Sequence, residues 1–122
     1  MRRVLGYLLS ASLLITFMPH AYAHSTLVSS NPKSGAILNS APTRVSLTFN
    51  ENLLIISGQN PNSLEITSAT GNSPIVGPLV IKGNIISIPL KSKAQKGRFK
   101  VSYRVDSADG HPIQGSFFFT IK

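Results

Sequence analysis

Between Arg44 and Phe49 the apolar residues Val45, Leu47 and Phe49 alternate with Arg44, Ser46 and Thr48. A period of two sends each set to its own face of an extended strand. The same pattern is clearest from Arg98 to Val105. There Phe99, Val101, Tyr103 and Val105 alternate with Arg98, Lys100, Ser102 and Arg104. Shorter runs read the same way: Ser25–Ser29, Ser63–Thr67 with Leu64 and Ile66, Leu79–Ile81, Ile85–Ile88, and Ser116–Ile121 with Phe117 and Phe119 opposite Phe118. Turn-forming residues separate them: Asn31–Gly35, Ala41-Pro42, Asn50-Glu51-Asn52, Ser57–Asn62, Ala69–Pro74 and the basic loop Lys91–Gly97. Lys82-Gly83-Asn84 suits a tight hairpin. Nothing after residue 24 carries the 3.6-residue period of a helix. About seven short strands in one small domain predict an all-β fold, an antiparallel β-sandwich or Greek-key barrel.

The first 23 residues follow a different rule. Arg2 and Arg3 precede a mostly apolar run from Val4 to Met18, and Ala21-Tyr22-Ala23 has the small-x-small form read by signal peptidase. The apolar run is about 15 residues, short of the roughly 20 that span a bilayer. Residues 1–23 are therefore expected to be a cleaved secretory signal, leaving a domain at 24–122. Cleavage removes both methionines and two arginines, so the net charge falls from +8 to +6.

With no cysteine, disulfides, thiolate metal sites and cysteine nucleophiles are excluded. The exported domain has no sulfur at all. Its basic residues are scattered and lack an RNA-binding aromatic motif, so no nucleic-acid partner is expected.

The chemistry concentrates in Val105-Asp-Ser-Ala-Asp-Gly-His-Pro112. Asp109 and His111 are two apart, a spacing that puts side chains on one side of an extended backbone, and Gly110 permits a bend between them. Two ligands rarely make a tight metal site. Cleavage supplies more, because it makes His24 the first residue. Its free α-amine and Nδ1 can then close a six-membered chelate ring, and both nitrogens deprotonate readily when a metal competes. Together these positions supply two imidazoles, an amine and a carboxylate.

In combination and in order, three stretches resemble the CopC family of periplasmic copper-binding proteins: His24-Ser-Thr-Leu-Val-Ser-Ser-Asn-Pro32, Leu47-Thr-Phe-Asn-Glu-Asn-Leu53, and Tyr103–Gly115 followed by Phe117–Ile121. The resemblance implies an immunoglobulin-like or cupredoxin-like barrel. It implies Cu(II) held by His24, Asp109 and His111, with Glu51 a candidate for orienting a ligand. Some members add a Cu(I) site in a methionine-rich loop. Here the corresponding stretch, about Ser57 to Pro78, has neither methionine nor histidine, so a Cu(II)-only protein is expected. The implied role is a periplasmic carrier, monomeric and not an enzyme, that sequesters copper or passes it to an inner-membrane partner of the CopD type. A copper redox enzyme built on the same histidine chelate and a metal-free β-sandwich adaptor are the alternatives. Asp106 reads as a strand-end residue, and Tyr103 and the phenylalanines read as core.

Overall fold

The computed structural model describes residues 26–122, so the expected signal segment and His24 lie outside the described residues. Eight strands make up the secondary structure of the described chain: β1 (Leu27–Asn31), β2 (Ile37–Leu38), β3 (Arg44–Phe49), β4 (Ser63–Ser68), β5 (Val80–Lys82), β6 (Ile85–Pro89), β7 (Gly97–Asp106) and β8 (Pro112–Ile121). They form two four-stranded sheets, ordered β1-β3-β6-β5 and β2-β8-β7-β4. All pairings are antiparallel except β2 with β8. This is the predicted sandwich, with one strand more than expected.

The alternating patterns set the core. Val45, Leu47 and Phe49 of β3 have no exposed surface, and neither does Ile86 of β6. From the other sheet come Leu64 and Ile66 of β4, Phe99, Val101 and Val105 of β7, and Phe117, Phe119 and Ile121 of β8. Phe99 and Phe119 stack with centroids 5.4 Å apart. Fully burying one such side chain stabilises the fold by about 1.5–3 kcal/mol. The β5–β6 hairpin turns on Gly83-Asn84, between the paired Lys82 and Ile85. Gly83 has φ +61°, the sign that the first central residue of a II′ turn needs.

Four expectations shift. The first strand is displaced by two residues, to Leu27–Asn31. β2 has no readable alternation, since Ile37 is exposed. Backbone bonds to the end of β8 hold it in place: Thr120 N–H donates to Ala36 O and Lys122 N–H to Leu38 O, both at 2.8 Å. β8 starts at Pro112 rather than Ser116, because Ile113, Gln114 and Gly115 complete the ladder against Val105, Arg104 and Tyr103. Gly115 leaves room over the backbone that the Tyr103 ring fills, and a glycine hides such a strand from sequence patterning. Finally, Phe118 is not core. It lies on the outer face, 36% exposed, with the Arg98 guanidinium 3.7 Å above its ring. Tyr103 is half-buried and meets Phe49 edge-on at 5.7 Å. Burial raises its pKa.

Candidate metal site

β3, β5 and β7 end, and β1, β4, β6 and β8 begin, at one pole of the sandwich. The loop joining β7 to β8 covers residues 107–111 and closes on itself. Gly110 N–H donates to Ser107 O at 2.8 Å, and Ser107 N–H donates to His111 O at 3.1 Å. Gly110 sits at φ +87°, in the left-handed region that a side chain disfavours. Asp109 and His111 therefore converge through a turn, not through an extended strand as their spacing alone predicts. The His111 Nδ1 lies 3.1 Å from Asp109 Oδ2. The His111 backbone N–H donates to Asp109 Oδ1, also at 3.1 Å.

Ser107 completes this arrangement. Its side chain is fully buried, and its hydroxyl donates to Asp109 Oδ1. That bond, then the two His111 contacts, holds the Asp109 carboxyl down at about 2. Hydrogen bonds to the charged form of an acid lower its pKa in this way. Asp109 is thus an anion at any physiological pH, with Oδ1 occupied by donors and Oδ2 turned to the imidazole. His111 exposes about two thirds of its side chain. With Nδ1 facing the carboxylate, Nε2 is left without a partner among the described residues.

The loop rests on the segment that follows β3. Ala108 N–H donates to Asn52 O at 2.9 Å and Leu54 N–H to Asp106 O at 2.8 Å. Leu53 makes a bridge with Ser107. Asn62 clamps both chains from its buried position. Its Nδ2 donates to Leu54 O at 2.8 Å, and its Oδ1 accepts from Asp106 N–H at 2.9 Å. The entry of β1 reaches the same segment. Thr26 N–H donates to Asn50 Oδ1 at 2.7 Å, and Asn50 N–H donates to Thr26 O at 3.1 Å.

Of the sequence-predicted site residues, the structure brings Asp109 and His111 together. Glu51 is half-buried between Asn50 and Asn52, the residues bonded to Thr26 and Ala108. It is not joined to the pair, and no cluster of three potential metal-binding side chains forms among the described residues. His24 lies outside them. Asp106 ends β7 as expected and pairs loosely with Arg104 at 3.7 Å. Ser107 and Asn62 were not anticipated. A serine opening a four-residue turn with glycine at its end is a usable signal for the first. No local signal marks Asn62, whose partner Asp106 lies 44 positions away.

Comparison with known proteins places these features in a family. The chain is 34% identical over 122 residues to copper resistance protein C of Pseudomonas syringae pv. tomato, covering 94% of this chain and 92% of that one. The crystal structure of CopC from Methylosinus trichosporium OB3b superposes with a TM-score of 0.68 at 25% identity, over 81% of this chain and 94% of that one. PcoC from Escherichia coli, described as a methionine-rich copper resistance protein, superposes with a TM-score of 0.65 at 25% identity, over 82% of this chain and all of that one. Residues 27–122, which include the sandwich and the Asp109–His111 turn, match the CopC domain, and the chain belongs to that family.

Proposed function

We propose that the exported chain binds one Cu(II) through the α-amine and imidazole of His24, the Asp109 carboxylate and the His111 imidazole. The observation that carries this reading is the held Asp109–His111 pair at the pole where β1 begins. Thr26 is tied to Asn50, and the Asn50–Leu54 segment is tied to the 106–108 backbone. His24 is two residues upstream of Thr26, and two residues span up to about 7 Å. Glu51, in the same segment, is suited to orient the amine or an imidazole N–H.

The donor set argues for the oxidation state. Three nitrogens and a carboxylate oxygen suit Cu(II). The chain after residue 23 has no methionine and no cysteine to favour Cu(I). The anionic Asp109 works against cycling to Cu(I), so the role is carriage and not catalysis. A monomer in the periplasm would sequester copper in resistance or hand it to a CopD-type membrane protein. The relatives named for copper resistance support this context.

Copper titration of two proteins tests the reading. One begins at His24 with a free α-amine, and in the other that amine is acetylated, which turns it into an amide and adds no new amine. The first is expected to bind one Cu(II) per chain and the second far more weakly. Equal affinity in the two refutes the proposed ligand set.

A further inference from the structure

We propose that the pole opposite Asp109 and His111 docks on anionic phospholipid, with a cleft between Lys91 and Lys93 seating a lipid phosphate. The first observation is a segregation of charge. The chain has four acidic side chains. Glu51, Asp106 and Asp109 belong to the segments that build the metal pole, and Glu65 sits mid-strand opposite Ser102. Among the described residues, none lies at the other end. That end carries Arg44 at the start of β3, Lys91, Lys93 and Lys96 in the loop between β6 and β7, Arg98 at the start of β7, and Lys122 beyond β8, all exposed.

The second observation is the cleft itself. It encloses about 350 Å³ between the 91–95 loop and the turn at Asn72–Pro74, with Phe99 and Pro74 as an apolar floor. Its walls are held. Lys91 N–H donates to Pro74 O at 2.8 Å, and Ser68 N–H donates to Asn72 O at 2.8 Å. Two lysines lining a cleft with an apolar floor, and no carboxylate among the lining residues, suit a phosphate attached to a hydrophobic body.

The third observation favours a membrane over an acidic peptide. The cations come from both sheets and from several chain segments, not from one groove. Exposed apolar side chains accompany them. Ile37 pairs with Thr120 near the end of β8, and Val76 N–H bonds to Pro89 O at the end of β6. Basic residues mixed with apolar ones are what an anionic interface binds. Docked this way, the Asp109–His111 turn faces away from the lipid. The inference does not rest on copper binding.

The buried core of the described residues lies within 45–121, so the chain from His24 onward is used, without the apolar residues 1–23. It is mixed with phosphatidylcholine vesicles that contain or lack phosphatidylglycerol, and sedimented. Binding is expected only with phosphatidylglycerol, falling as salt rises. Each basic residue near such a surface is worth about a fivefold change in partitioning. The variant K91Q/K93Q is thus expected to bind about 25-fold more weakly, and Lys82→Gln at the metal pole to bind as the parent does. Equal binding to neutral vesicles overturns the proposal, as does an equal loss in Lys82→Gln. Vesicle binding by K91Q/K93Q equal to the parent's, while the parent still binds inorganic phosphate in solution, would assign the cleft to a free anion and overturn it too. Copper titration of K91Q/K93Q is a separate readout, expected to be unchanged whichever way the vesicle result falls.

Discussion

On the proposed reading, replacing Ser107 by alanine tests whether the Asp109–His111 pole is held ready for the metal or assembled by it. The serine side chain is fully buried, and its hydroxyl donates to Asp109 Oδ1. Alanine removes that donor, together with the hydroxyl's longer 3.4 Å contact to His111 O. The backbone bonds of Ser107 to His111 and Gly110 survive, since they use its N–H and C=O. Loss of a group that orients a metal ligand ordinarily costs about 10–100-fold in affinity. Ser107→Ala is therefore expected to weaken Cu(II) binding about 10–50-fold at pH 7, measured by competition with a chelator of known affinity. The same change in an Asp109→Asn background removes a donor that no longer serves a carboxylate ligand, and is expected to cost under about threefold. Binding within twofold of the parent, or the same loss in both backgrounds, refutes a positioning role for Ser107.

Three further outcomes follow from the same pole. Asp109 has a folded-state pKa of about 2 against roughly 3.9 in an unfolded chain, so its contribution to stability is present above about pH 4 and lost as pH falls through 2. Acid titration of unfolding should therefore show a steeper loss between pH 4 and 2 in the parent than in Asp109→Asn; parallel curves contradict the depressed pKa. Asn62→Ala strands both Asp106 N–H and Leu54 C=O in a partly buried setting. It is expected to cost about 2–3 kcal/mol, a fall in Tm on the order of 10–20 °C by calorimetry, and a shift under 3 °C contradicts the clamp. Asn50→Ala deletes the acceptor for Thr26 N–H. The proposed consequence is a looser approach of His24 and about tenfold weaker copper binding by chelator competition, with Tm lowered far less than in Asn62→Ala; unchanged affinity contradicts the tether.

How far the sequence discloses this structure depends on the range of the forces involved. β3 and β7 are legible because each buries one face, and burial imposes alternation on the residues themselves. Val45, Leu47 and Phe49, or Phe99, Val101 and Val105, display the core without any partner being known. β2 is illegible because it buries little: Ile37 is exposed, and backbone bonds to β8 alone define it. The first half of β8 is hidden by Gly115, whose missing side chain accommodates the Tyr103 ring. Phe118 misleads because its apolar ring is covered from outside, by Arg98. The site divides in the same way. Asp109 and His111 are close in sequence and carry recognisable chemistry, whereas Asn62 acts on Leu54 and Asp106 through contacts that only the assembled sandwich creates.

That division bears on why such a site belongs at this pole. A turn of five residues between two long strands cannot by itself hold a carboxylate and an imidazole in one arrangement, since ordering each residue costs about 1–2 kcal/mol of backbone entropy. Here that cost is met within the fold itself. The 107–111 loop is closed by its own backbone, braced by residues 52–54, and those by Asn62. The brace also carries Asn50, which holds Thr26 at the mouth of β1. One short segment after β3 therefore does two jobs, stiffening the 107–111 turn and fixing where β1 begins. On the proposed reading, a proteolytic cut that exposes the His24 amine adds its donors to a half-site that is already rigid. Affinity would then be limited by how well residues 24 and 25 are held, and not by the order of the 107–111 turn.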